Sequence, residues 1–411
     1  MTVIKRKESE EIRASGGWLL LYGRRKVGKT FLLKNFIDTD IHYLVKKNGI
    51  IIDTEDINNS FENLNEFLIT LKKDLHEEKR TIVIDEFQRL PSDIWDDISL
   101  FHPEGRLIVS GSSFKLVDRV LSDSSPLLGL FYPMKVPLIG HIDILRGLSE
   151  NMEIMDAIEI APYARDPWTI PYLTSRDRIH SMVNILNTIV PSLIGEVFTE
   201  EHRELSRNYQ AIISLVGSGM QDYDRMGKVL HDRGIVSRPS SSSVIPYLRN
   251  MERMGLVTSY RVWKSKKTVY RLTSFVMRLY YYLDSRYDLE DRDVHPDEIK
   301  PTIDRQRDLA VEEFLAGLFG ELSGGRVEIQ KDHDKEIDIL VTRRNKPYLL
   351  GEVKWGKSTK ADLDRFREKV EDYSCRKIFI SRERIERDDE IEVLFPEDIL
   401  DMVTGNLKRS P

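Results

Sequence analysis

Cysteine is all but missing from this sequence. Cys375 is the only one in 411 residues, which excludes an intramolecular disulfide framework and any multi-cysteine zinc site. Long apolar runs are missing too, since none approaches the ~18–20 residues that span a bilayer. The N-terminal Met1–Lys7 is followed by acidic residues, not by the apolar core of a signal peptide. Neither sign of charge dominates: 62 Lys+Arg against 68 Asp+Glu give −6. A nucleic-acid partner must therefore be sought in local patches. No internal repeat or low-complexity tract is visible. What is present is 40% hydrophobic, 32% charged and 9% aromatic, a composition that can bury real cores. The length suits two or three domains of ~100–200 residues. The expected setting is the cytoplasm, away from any membrane.

The first unit, 1–142, alternates short apolar runs with helical patterns. The runs are Trp18–Tyr22, Gly49–Asp53, Thr81–Asp85 and Leu107–Ser110, and they predict an α/β fold with a mostly parallel sheet. Residues 143–204 read as a helical lid, with a loop expected from Pro162 to Pro171. Residues 205–288 predict helices around Tyr209–Val216, Met226–Asp232 and Ser240–Met254. Alternating Tyr260–Trp263 and Thr268–Leu272 follow, and three helices plus a two-strand ribbon form a winged helix-turn-helix. Asp288–Pro301 is expected to be a linker. The last unit, 302–411, opens with an amphipathic helix around Leu309–Phe319. Strands are expected near Val327–Gln330, Glu336–Val341, Tyr348–Trp355 and Lys377–Ser381, with a charged helix Lys360–Tyr373.

Gly23-Arg24-Arg25-Lys26-Val27-Gly28-Lys29-Thr30 fits G-x-x-x-x-G-K-[ST] and sits between a strand and a helix. The glycines let backbone amides curl around phosphate oxygens at the positive end of the helix. Lys29 can reach the terminal phosphates of ATP, and the Thr30 hydroxyl can ligate Mg²⁺. Asp85 ends an apolar strand and can bind Mg²⁺ directly or through water. Glu86 beside it can orient or deprotonate an attacking water, or be a surface acid at a strand end. Ser110, at another strand tip, can sense the terminal phosphate.

From Ser237 to Leu272 the chain carries eight basic residues against the single acid Glu252. Arg249 and Arg253 fall on the third helix, and Lys264, Lys266 and Lys267 at the tip of the wing. Ser240–Ser243 offer an N-cap at the start of that helix. Such groups suit contacts to DNA phosphates. The same unit can instead contact protein, with a charged tip that is only solvated.

Asp338 and Glu352 lie at equal distances from Asn345, inside the natural turn Arg343–Pro347. In a regular antiparallel hairpin they become cross-strand neighbours, with Cβ atoms roughly 4.5–5.5 Å apart. Lys354 projects from the same face, where with Asp338, Glu352 and a bound metal it can position or deprotonate a water for phosphodiester cleavage. Facing acids destabilise a sheet unless a hard cation such as Mg²⁺ or Mn²⁺ binds between them. The alternative is a solvated face with Lys354 neutralising the acids.

The run Tyr22–Thr30, the box Asp85-Glu86-Phe87-Gln88 and Ser110-Gly111-Ser112-Ser113 resemble the archaeal ATPase family, AAA+-like proteins near the STAND signalling ATPases. The resemblance extends over most of the chain, because the family often carries a winged helix and a C-terminal nuclease-like domain. The Asp…Glu-x-Lys pattern is similar to the PD-(D/E)xK nuclease superfamily, and Gly351–Trp355 looks like the C-terminal domain of the same ATPases. That likeness implies a further metal-binding glutamate on the preceding helix, Glu312 or the adjacent Glu313, with Glu312 fitting better. It implies ATP and Mg²⁺ as cofactors, with Mn²⁺ also at the C-terminal site. DNA is the implied partner, beside a second copy of the chain or another protein. Two positions depart from the family pattern. Gly129-Leu130 stands where relatives often have Gly-Arg, so no arginine is assigned to trigger hydrolysis. Asp166-Pro167-Trp168-Thr169-Ile170-Pro171 replaces the lid's usual Gly-Gly-x-Pro.

Overall fold

A computed structural model describes residues 3–56, 59–173, 178–201, 203–292, 294–330 and 336–405, with the backbone alone for 178–185 and 296. The N-terminal unit comprises α1 (Lys7–Ala14), β1 (Leu19–Tyr22), α2 (Lys29–Phe36), β2 (Ile41–Val45), β3 (Ile51–Asp53) and β4 (Ser60–Phe61). It continues with α3 (Leu64–His76), β5 (Thr81–Asp85), α4 (Trp95–Ser99), β6 (Arg106–Gly111), α5 (Phe114–Val120) and β7 (Tyr132–Lys135). These strands form one sheet in the order β4-β3-β2-β5-β6-β1-β7. It is parallel except where β3 and β4 pair antiparallel at one edge. Both faces are covered by apolar side chains, one around Leu20, Ile84 and Phe67 and the other around Leu21, Val83 and Leu33. That double burial explains why β1, β5 and β6 read as unbroken apolar runs. β2 was not legible because His42 interrupts Ile41–Val45.

The segment expected as a lid consists of α6 (His141–Ser149), α7 (Ile154–Ala164), a 3₁₀ turn Pro167–Tyr172 and α8 (Arg178–Glu200). The loop expected from Pro162 to Pro171 is therefore helical. Pro162 sits inside α7 and is buried there. Packing of Ile158, Ala161 and Tyr163 into a large core outweighs the helix bond that proline cannot make. Pro167 opens the 3₁₀ turn, where its missing N–H would have no partner anyway.

Next come α9 (Arg207–Gly217), α10 (Tyr223–Asp232), α11 (Ile245–Arg253), the antiparallel ribbon β8 (Val257–Arg261) and β9 (Thr268–Leu272), and α12 (Phe275–Tyr287). The helix expected from Ser240 starts later, because Ser241–Ser243 form a 3₁₀ turn. There the Ser243 hydroxyl donates to the Arg238 carbonyl and Ser240 bonds Ser242. These serines bond their own turn, as such residues tend to do.

The C-terminal unit has α13 (Pro296–Ser323), β10 (Arg326–Glu328), β11 (Ile339–Arg343), β12 (Lys346–Lys354), α14 (Lys360–Val370), β13 (Arg376–Ser381), β14 (Glu392–Leu394) and α15 (Pro396–Thr404). The expected linker 288–301 is shortened from its far end, since α13 begins at Pro296 and runs through Pro301. Proline is tolerated at the first helical position, and Asp297 and Glu298 favour the helix start. Burial of Ile299 and Ile303 carries the helix past Pro301. At 28 residues α13 is about 42 Å long. It packs against α6, α7, α8, α12 and β11. One continuous apolar core joins lid, three-helix unit, α13 and the near face of the five-stranded sheet β10-β11-β12-β13-β14. α14 covers the opposite face around Leu340, Leu350 and Phe366.

Candidate functional site

β1 lies beside β6, and β6 beside β5, so the ends of these three parallel strands deliver Gly23, Ser110 and Asp85 to one edge of the sheet. Gly23 is required there: a Cβ would come within 2.2 Å of the Val136 carbonyl oxygen. Lys26 (φ 66°) and Gly28 (φ 90°) curl the loop in the left-handed region. α2 starts at Lys29 with no side chain capping its first amides. Those unpaired N–H groups and the helix dipole form an anion cradle.

The side chains around the cradle are already engaged. Thr30 Oγ1 donates to Asp85 Oδ2 at 2.5 Å, and Ser110 Oγ donates to Asp85 Oδ1. A hydroxyl and a carboxylate held together are the oxygen donors that suit Mg²⁺. The buried Lys29 ammonium donates to the Gly23 carbonyl at 2.8 Å. Burial pulls its pKa down to about 8, against the pull of Asp85. Glu86 adopts φ 60°, ψ 40°, uncommon for a residue with a Cβ. Its carboxylate receives Gln88 Nε2 at 2.8 Å and Arg89 at 2.9 Å, and burial raises its pKa. Arg24 is buried in an ion pair with Asp166 and also donates to Met277 Sδ. Arg25 turns toward α8, at 2.7 Å from Glu200 and 2.9 Å from Glu196. Val27 is buried, and Lys26 is exposed.

Sequence reasoning missed four residues here. His42 on β2 lies 4.0 Å from Asp85, and its Nε2 has no hydrogen-bond partner; burial lowers its pKa. Gln88 donates to Glu86, Ser112 and Glu200. Glu200 and Glu201 arrive from the end of α8. Glu201 accepts the amides of Phe114 (2.6 Å) and Lys115 (3.2 Å) at the start of α5. Of these, only Gln88 stood in a motif that the sequence offered.

In the C-terminal unit Ile339 pairs with Gly351 and Val341 with Leu349, and Asp338 and Glu352 stand one residue beyond the first of these pairs. A bulge follows Val341, and the strands close through Arg344 and Asn345, both at positive φ. Two such residues make the turn that suits a twisted hairpin. Asp338 accepts the Val353 amide at 2.8 Å. Lys354 lies 2.7 Å from Glu352, and Lys369 of α14, unnoticed in the sequence, lies 3.2 Å from it on another side. Glu312 faces this group: burial, then the charge of Asp338, pushes its pKa up to about 8. Burial, then Glu352, raises Asp338 to about 6. Glu313 faces away, clamped by Arg271 (2.6 Å) and Arg278 (2.7 Å). Those two cations hold its pKa at about 2 in spite of burial. Between the alternatives, Glu312 shares the cluster.

Asp338, Glu352 and Glu312, the expected metal ligands, act on one another electrostatically. Among the described residues no three His, Cys, Asp or Glu side chains are set to hold a metal. Two ammonium groups already neutralise Glu352, and the facing-acid penalty is relieved by lysine. Glu312 and Asp338 line an open cavity of about 910 Å³ between α13, the ribbon and residues 137–141.

The basic residues of the ribbon unit divide. Arg249, Lys264, Lys266 and Lys267 are exposed, while Arg253 pairs with Asp118 of α5 at 2.6 Å. The Lys264 ammonium lies 6.0 Å from the Tyr373 ring. Val262 forms a β-bridge with Ile329, next to β10. The β8–β9 ribbon is thus docked along the C-terminal sheet.

No helix among the described residues is long and apolar enough to cross a membrane. Residues 15–127 match the AAA domain family. An uncharacterized protein of Methanocaldococcus jannaschii is 24% identical over 379 residues, 82% of each chain. Among solved structures, a Walker-type ATPase of Pyrococcus abyssi matches at TM-score 0.50 and 16% identity, over 68% of this chain and 96% of that one. An ORC2 protein of Aeropyrum pernix, solved with ADPNP and ADP, matches at TM-score 0.41 and 15% identity, over 68% of this chain and 92% of that one. The AAA-domain match thus falls within the N-terminal unit and includes the Gly23–Thr30 loop, Asp85 and Ser110.

Proposed function

We propose that this protein binds and hydrolyses ATP and couples nucleotide state to DNA binding by a winged-helix unit. The observation that carries the reading is the convergence of Gly23–Thr30, Asp85 and Ser110 at three adjacent strand ends. The free amides of the loop and Lys29 bind the phosphates. Thr30 and Asp85 hold Mg²⁺, which when bound neutralises charge on the transferring phosphate. Glu86 positions the water and accepts its proton, a role that suits a carboxylate whose pKa is raised. Lys29→Ala should abolish tight ATP binding, measured by calorimetry. Glu86→Gln should keep binding and stop phosphate release, because an amide cannot take the proton. Equal turnover by Glu86→Gln and wild type would remove Glu86 from this role.

A second reading concerns the C-terminal unit, which has the hairpin and Glu-x-Lys arrangement of a PD-(D/E)xK nuclease-like domain. Lys354 and Lys369 on Glu352, with no cage for Mg²⁺ or Mn²⁺ among the described residues, favour a nuclease fold kept for binding inside a STAND-like switch. In that reading the domain holds DNA or protein without cutting. Wild type should then bind duplex DNA with an affinity that falls steeply with salt, and leave it intact with either metal. Metal-dependent cleavage lost in Glu352→Gln would restore the enzymatic reading.

A further inference from the structure

The C-terminal end of α8 meets the phosphate loop. Glu200 Oε1 lies 2.7 Å from Arg25 Nη1, inside the G-x-x-x-x-G-K-T run, and Glu200 Oε2 accepts Gln88 Nε2 at 3.1 Å. The same Gln88 nitrogen donates to Glu86 at 2.8 Å. One side chain of the lid therefore touches both the phosphate loop and the residue that holds the proposed base. Its charge also acts on Lys29 and Glu86. Beside it, Glu201 is fixed on the amides that open α5. The adjoining half of α8 is packed by Val190, Leu193, Ile194, Val197 and Phe198 into the core that extends through α12, α13 and the ribbon. Phe198 meets Tyr209 of α9 with ring centroids 4.8 Å apart.

We infer that Glu200 is a built-in competitor for the phosphate site: its carboxylate and the terminal phosphates of ATP compete for the cations of the loop, so that ATP binding displaces the end of α8. Both competitors are anionic oxygens, and both are drawn to Arg25 and Lys29. Holding them together would place like charges side by side in a partly buried site. The displaced helix carries the ribbon unit with it, because the two share one core. The inference rests on the ATP-binding reading above.

Glu200→Gln keeps the shape and removes the charge. Titrated with ATP in a calorimeter, this variant should bind about 5- to 150-fold more tightly than wild type, the usual span of coupling between sites. AMP, which lacks the terminal phosphates, should show no such gain. Glu196→Gln removes a more exposed partner of Arg25 and should change affinity by less than about fivefold. Cys375 is the only cysteine, so spin labels at Ser192→Cys and Leu100→Cys in a Cys375→Ser background report the α8-to-domain distance. That distance should change when ATP is added to the otherwise wild-type protein, and be already shifted without ATP in Glu200→Gln. Tight ATP binding with no effect of Glu200→Gln on affinity or distance would overturn the latch alone. Absence of ATP binding in wild type would overturn both the latch and the reading beneath it.

Discussion

Where the lid meets the phosphate loop and α5, the contacts are charged: Arg24 with Asp166, Arg25 with Glu196 and Glu200, and Glu201 with the amides of α5; away from the loop, Ile4 and Ile139 of the N-terminal unit join the lid's apolar core. Where the same lid meets α12 and α13, the contacts are hydrocarbon. Ile158, Tyr163, Phe275, Phe314 and Leu318 all belong to one buried cluster. The ATPase domain keeps its own two cores, one on each face of its sheet. On these contacts the molecule divides into two bodies at a mainly polar seam, bridged near Ile4 and Ile139, and the phosphate loop lies on that seam. Apolar contacts respond little to an arriving anion, whereas ion pairs exchange partners with it directly. In the proposed reading, a nucleotide at the loop meets the joint where it is ionic.

The hardest test of this division is Phe314→Ala. Phe314 is fully buried in α13, and the truncation should cost about 3–5 kcal/mol. Chemical denaturation followed by a label in each body should show the loss in the second body, with the ATPase domain's transition nearly unmoved. Equal loss in both would merge the two bodies into one.

The seam itself is tested at its buried end. Asp166→Asn strands the Arg24 guanidinium, both side chains being at most 3% exposed. Losing one member of a buried pair costs about 3–5 kcal/mol. The exposed Arg253–Asp118 pair at the same interface should contribute only about 0–1 kcal/mol, so Arg253→Ala makes the small-effect control.

A smaller effect concerns pH in the second body. Arg165 can only donate, so the His141 Nε2 it meets at 2.8 Å must be unprotonated, leaving Nδ1 to face Glu321 at 3.1 Å. Burial, then Arg165, depresses the His141 pKa to about 4. The unfolded chain takes up this proton near pH ~6.5. The contribution is therefore complete above that pH and lost as pH falls toward 4, on the order of 1–3 kcal/mol. Melting temperature across this window should fall in wild type and flatten in His141→Asn. A wild type with no such slope would place a charged histidine in the network.

How much of this was legible in the sequence follows from the range of each signal. The phosphate loop and the Asp338/Glu352 register could be read because their geometry is local, set by a turn between two strands. The hairpin bulge could not, since Tyr348 is extruded by pairing and not by composition. Pro162 and Pro301 misled because burial of neighbouring side chains overrides a missing helix bond. Glu200, Glu201 and Lys369 were invisible for another reason. A carboxylate on a distant helix carries no mark of the site it reaches.

The backbone bridge between Val262 and Ile329, beside the shared core, bears on how the protein can be dissected. Its sequence invites cutting into an ATPase, a DNA-binding module and a nuclease-like module. A fragment ending before α13 would bare both the outer edge of β8 and the apolar sides of α7 and α12. Unpaired strand edges beside exposed hydrocarbon favour aggregation. Fragments divided at that point should accumulate as inclusion bodies, while a cut at the polar seam parts only Ile4 and Ile139 from the larger core.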